Sequence, residues 1–172
     1  SGLSEEQIIE ANNLNRRLYD IVIEERDEKS LRQRLTDVLY KEIDLNAFLS
    51  PVEKEAQKAQ VPQIIAPLLS PWVRVFLELN PANYLRKVTV PVLALNGSKD
   101  LQVPPKPNLE AIKVALSEAG NNSSTVIELE GLNHLFQHAT TGLPSEYSEI
   151  DESFAPEVLQ IISDWILNII SP

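Results

Sequence analysis

Val90, Val92, Leu93, Ala94 and Leu95 follow one another almost without interruption, and Asn96-Gly97 ends the run abruptly. A short apolar run of this kind is the pattern of a parallel strand covered on both faces, and such a strand demands a neighbour and a layer of helices. Asp100 stands just past its carboxyl end. A second stretch answers it: Val126, Ile127 and Leu129 alternate loosely with polar residues until Gly131, and His134 follows. Two strands that point the same way deliver their carboxyl ends to one side, so the spacing predicts an acid and an imidazole leaving neighbouring strand ends together. Leu109, Ile112, Ala115 and Leu116 give the helix between them, opened by Pro107-Asn108 and stopped by Gly120, which is the right-handed crossover that parallel strands need.

The residues before this pair read differently. Ser4 with Gln7 is a capping-box pair, with Leu3 and Ile8 as its staple, and Ile8, Ala11, Leu14, Leu18, Ile21 and Val22 recur at helical spacing. Ser30 with Gln33 repeats the signal ahead of Leu31, Leu35, Val38, Leu39 and Ile43, and Ser50-Pro51 with Glu53 opens a third helix. Pro62 and Pro67 predict an interruption, and Ser70-Pro71 a restart with Trp72, Val75, Phe76 and Leu79 facing inward. The chain therefore divides into a helical part, residues 1–69, and an α/β part, residues 70–172. A last helix from Pro156 carries Val158, Ile161, Ile162, Trp165, Ile166 and Ile169 as a broad face for the sheet. Between it and His134, residues 137–153 form a long loop over the carboxyl edge.

Composition narrows the function. A length of 172 residues with 43% hydrophobic and 23% charged side chains suits a globular chain, and the formal charge of -10 argues against nucleic acid as a partner. With no cysteine and two histidines, thiolate chemistry is excluded and a metal site would have to be rich in carboxylates. Glu146, Glu149, Asp151 and Glu152 cluster, but their spacing matches no calcium loop and reads as a solvated charge run. No cofactor is expected. No apolar run approaches the roughly 18 residues of a membrane span. Asn96-Gly97-Ser98 and Asn121-Asn122-Ser123 match the glycosylation triplet, a pattern common by chance.

An imidazole held beside a carboxylate keeps one tautomer and gains stabilisation when it takes a proton, which is what a general base needs. Asp100 and His134 fit those roles, and they equally fit two loop residues that cap strand ends. His138 reads as a surface residue deeper in the loop.

At these residues the sequence resembles the α/β-hydrolase family, in particular the carboxyl-terminal half of its esterase-like members. The likeness rests on Val88-Thr89-Val90-Pro91-Val92-Leu93 leading to Asn96-Gly97-Ser98-Lys99-Asp100, then Gly131-Leu132-Asn133-His134, with Pro81 and Leu85 upstream. It covers residues 70–172 and implies a partial α/β-hydrolase fold: a helical lid over residues 1–69, then two parallel strands with a crossover and carboxyl-terminal helices. It implies Asp100 as the acid and His134 as the histidine of a serine, acid, histidine triad. Asn133, Leu135 and Phe136 would line a pocket for a small ester or acyl substrate, with the lid as its wall.

The departure is the nucleophile. The family's serine sits in a G-x-S-x-G turn, and none of Gly2, Gly97, Gly120, Gly131 and Gly142 is spaced about a serine in that way. Ser98 and Ser145 are poor substitutes. The absence of methionine and the helical opening fit either a trimmed start or a piece of a longer hydrolase. On the second reading the chain is inactive alone, and the Val90 to Leu95 edge requires either the missing amino-terminal half or self-association. Peptide hydrolysis or acyl transfer on the same fold, and a non-catalytic helical interaction module, are the alternatives.

Overall fold

The computed structural model describes residues 4–171 and is mixed α/β, with seven α-helices and one two-stranded parallel sheet among them. It forms two compact units, Ser1–Leu79 and Asn80–Pro172. The sequence pattern predicts the division at 69/70; the helix after Ser70 packs on the first helix and so belongs with the first unit.

In the first unit, α1 (Glu5–Glu24) begins as its capping box dictates: the Gln7 N–H donates to Ser4 Oγ at 3.2 Å and the Ser4 N–H to Gln7 Oε1 at 2.9 Å. The staple expected of Leu3 lies outside the described residues. The next helix, α2 (Glu28–Leu45), starts earlier than Ser30 predicts. Asp27 is its cap, with the Ser30 N–H donating to Asp27 Oδ1 at 2.9 Å, and its negative charge suits a helix amino terminus better than a serine hydroxyl. Ser50 and Glu53 form the capping box of α3 (Pro51–Ile65) as read.

Pro62 does not interrupt α3, against expectation. A proline inside a helix costs about 3 kcal/mol. Val61 and Ile65, on either side of it, are fully buried, and at roughly 1.5–3 kcal/mol each that burial offsets the cost. The core they join consists of Leu18, Ile21 and Val22 from α1 and Leu31, Leu35 and Leu39 from α2. Ile8 and Ala11, expected on the buried stripe, are exposed, because only the carboxyl half of α1 meets this core.

A 3-10 turn at Ala66–Leu69 leads to α4 (Pro71–Glu78), where a second expectation fails. Trp72, Val75, Phe76 and Leu79 are exposed, and it is Leu77 that packs on the core. The helix is apolar on more than one side, so periodicity names two candidate faces. The exposed one carries Trp72 stacked on Phe76 at 5.3 Å between ring centres.

The second unit opens with one turn, α5 (Ala82–Leu85), and then β1 (Val92–Gly97), α6 (Pro105–Glu118) and β2 (Ser124–Leu129) form the expected crossover. The strands run parallel, in register from Val92 opposite Ser124 to Gly97 opposite Leu129. Proline suits the first helical turn, and α6 begins at Pro105, two residues before the expected start at Pro107. It ends in a Schellman motif: Gly120 has φ +69°, its N–H donates to Ser117 O at 2.9 Å and the Asn121 N–H to Leu116 O at 3.0 Å. The Asn121 side chain then donates to Val88 O and Val90 O, at 2.9 and 2.8 Å, fixing the approach to β1.

Alternation puts Leu95, Ile127 and Leu129 on the sheet face covered by α7 (Pro156–Ile170), where Val158, Ile161 and Ile162 meet them. Only that half of α7 is covered. Ile166 and Ile169, expected against the sheet, are exposed together with Leu167 and Ile170, since two strands offer too little surface for a helix of this length. No helix among the described residues is long and apolar enough to cross a membrane.

Burial separates two large apolar side chains in the first unit. Leu35→Ala removes a fully buried side chain and is expected to cost about 2–5 kcal/mol. Phe48→Ala, at a position 98% exposed, changes stability by less than about 0.5 kcal/mol. Urea unfolding of both variants measures the contrast.

Candidate active site

The carboxyl end of β1 turns sharply: the Asp100 N–H donates to Gly97 O at 3.1 Å, which brings the carboxylate back over the strand end. Asp100 is 6% exposed, and both oxygens are occupied. Oδ1 accepts the Gln102 and Val103 N–H groups at 2.9 and 2.8 Å; Oδ2 accepts Asn96 Nδ2 at 2.9 Å and faces His134 Nδ1 at 2.9 Å. Burial opposes ionisation of this carboxyl, but the Val103 N–H, the His134 ring and the Gln102 N–H outweigh it and hold the group below the usual carboxylate range. An ionised carboxylate only accepts, so Nδ1 of His134 is the donor. In the neutral ring Nε2 is then the basic nitrogen. The His134 side chain is 38% exposed, and Nε2 has no hydrogen-bond partner among the described residues.

His134 is held by backbone packed on backbone. The Lys99 N–H donates to Leu132 O at 2.9 Å, and the Ser98 N–H to Leu129 O at 2.8 Å. Gly97 makes the approach possible: a Cβ there would lie 2.2 Å from Leu132 O and 2.7 Å from Asn133 O, distances no side chain tolerates. Gly142 makes a similar approach to Lys99 O, with φ +78°.

Three residues expected to line a pocket fall in different places. Asn133 is fully buried, and its amide holds the turn together: Oδ1 accepts the Leu135 and Gln137 N–H groups, at 2.9 and 3.0 Å, and Nδ2 donates to Gln137 Oε1 at 3.0 Å. Phe136 has φ +57° and packs inward against Phe154 and the α7 core. Both support the turn's surroundings instead of lining a pocket, because the Asn133 amide is engaged by the turn and the Phe136 ring by the core under α7. Leu135 alone is exposed.

Of the four loop carboxylates expected to form a solvated charge run, Glu149 and Asp151 are exposed, while Glu146 and Glu152 hold the loop together. Glu146 accepts from the Thr140, Thr141 and Gly142 N–H groups and from Thr141 Oγ1; burial opposes its ionisation, but these donors prevail and keep it below the usual range. Glu152 accepts the His138 N–H at 2.7 Å, the main cause of its lowered pKa, and also pairs with the His138 ring. His138 lies on the surface as expected, its Nε2 at 2.8 Å from Glu157. No group of three or more His, Asp or Glu side chains among the described residues is arranged to hold a metal ion.

Ser98 Oγ accepts the Gly131 N–H at 2.8 Å, and Ser145 sits in a 3-10 turn at Pro144–Glu146. Neither stands on a strand-to-helix elbow. The glycosylation triplets that begin at Asn96 and Asn121 are closed in the folded chain, because both asparagines are buried with their amides engaged.

Two substitutions test this construction. Gly97→Ala forces the Leu132–Asn133 turn away and is expected to cost about 1–3 kcal/mol, an overpacking penalty measured by thermal unfolding. Asp100→Asn sets an amide donor against the donors of Asn96 and His134 and destabilises the chain at neutral pH. Since the folded pKa of Asp100 is lowered, its contribution is complete above the unfolded value of about 3.9 and disappears as pH falls through the folded one. Melting midpoints of the two proteins therefore converge in acid, and a gap independent of pH contradicts the assignment.

The chain matches no protein-family model, no curated protein and no solved structure.

Proposed function

We propose that this chain supplies the acid and the base of a serine hydrolase of the α/β-hydrolase type acting on carboxylic esters, with the serine carried by a different segment or chain. The observation that carries the reading is the 2.9 Å pair of Asp100 Oδ2 and His134 Nδ1, delivered from the carboxyl ends of adjacent parallel strands with no partner for Nε2 among the described residues. In the proposed reaction Nε2 takes the serine hydroxyl proton as the oxygen attacks the ester carbonyl. Asp100 stabilises the resulting imidazolium, which returns the proton to the departing alcohol. Water activated by the same nitrogen then releases the acid. Peptide cleavage or acyl transfer would use the two residues identically, and a substrate panel separates them.

The sheet supports the need for a companion. A two-stranded sheet is marginal in water, and β1 is only half-buried along Val92 to Leu95, with Val90 exposed. An unpaired apolar edge invites a further strand. In this reading the segment that brings the serine also covers that edge.

Intact-mass analysis after treatment with a fluorophosphonate, which marks an activated serine, tests both points. The expected result is a label on a species that co-purifies with this chain, falling by orders of magnitude when His134→Ala replaces the native chain. A label on this chain identifies a nucleophile within it and overturns the external serine. No label on any species present overturns the hydrolase reading.

A further inference from the structure

Asn96 occupies a position with no role in the reaction just described. It is buried at the end of an otherwise apolar strand, where an amide is costly unless both its hydrogens are used. They are: Nδ2 donates to Asp100 Oδ2 at 2.9 Å and to Val103 O at 3.2 Å. Val103 is also the residue whose N–H holds Asp100 Oδ1 at 2.8 Å. One side chain from the sheet therefore ties together the carboxylate and the loop that grips it.

We propose that Asn96 is a positioning residue which fixes the plane of the Asp100 carboxylate and thereby determines which nitrogen of His134 carries the proton. The Gln102 and Val103 N–H groups anchor Oδ1, and Oδ2 alone remains to be aimed. Asn96 and His134 approach that oxygen together, so the amide sets where the imidazole finds its acceptor. An amide suits the task because it donates without carrying charge, leaving the carboxylate to stabilise the imidazolium. The tautomer of a histidine follows the hydrogen bond its other nitrogen makes. With Oδ2 held, the proton stays on Nδ1 and the basic lone pair on Nε2.

The consequence for catalysis rests on the hydrolase reading, but the tautomer does not, since it is measured without a serine. Nitrogen-15 correlation spectra of the imidazoles, recorded well above the ordinary imidazole pKa range, report the proton's location. The chain has two histidines, and His138, bound to Glu152 and Glu157, is the internal control. In the native protein His134 is expected in the Nδ1–H form. Asn96→Ala and Asn96→Ser are expected to raise its Nε2–H population several-fold while the His138 signals stay in place. A folded variant in which His134 keeps the native tautomer overturns the proposal. If neither variant folds, the native protein decides: the Asn96 amide hydrogens should exchange about tenfold more slowly than those of exposed Asn122, and equal rates overturn it. Failure of fluorophosphonate labelling sinks the hydrolase reading and leaves this result standing.

Discussion

The second unit depends on a place where two stretches of backbone touch with no side chain between them. Gly97 closes β1 directly against the carbonyls of Leu132 and Asn133, and the Lys99 N–H bonds to the first of these. Add a Cβ there and the turn bearing His134 is pushed away from the strand end that carries Asp100. The other devices around it, the Asn133 knot and the Ser98–Gly131 bond, secure a geometry that the absent Cβ permits.

Much of this was legible in the sequence because it is local. Helix caps at Ser4 and Ser50 and the Gly120 stop are short-range hydrogen-bonding patterns, and the two strands announce themselves by apolar runs broken at glycine. Asp27 was missed as a cap because Ser30 offered an equally good local signal, and only the chain's path decides between them. The faces of α4 and α7 were misjudged for another reason. Periodicity shows that Trp72 and Phe76, or Ile166 and Ile169, share a side; it is silent on whether anything stands opposite. Pro62 belongs with these, since its tolerance comes from the burial of Val61 and Ile65 by other helices.

For the candidate site, the strand ends predicted where Asp100 and His134 would emerge, and the parallel register brings them within hydrogen-bond distance. The supporting residues were read as something else. Asn96 looked like a strand breaker and Asn133 like a pocket wall, because an asparagine that donates inward and one that faces solvent are spelled alike. A polar side chain closing an apolar run, four residues before an aspartate, was the available signal for Asn96.

The crossover that joins the strands also governs how the pair comes into being. Asp100 and His134 are 34 positions apart, and the bonds that align them, from Asn96 through Gly97 to the Asn133 turn, are made by the end of β1 with the loop after it and by the turn after β2. Parallel strands joined by a crossover pair non-locally, and the connection must close before their contacts form. The acid and the imidazole therefore meet only once β1, α6 and β2 have come together, and anything that unpairs the strands also parts them.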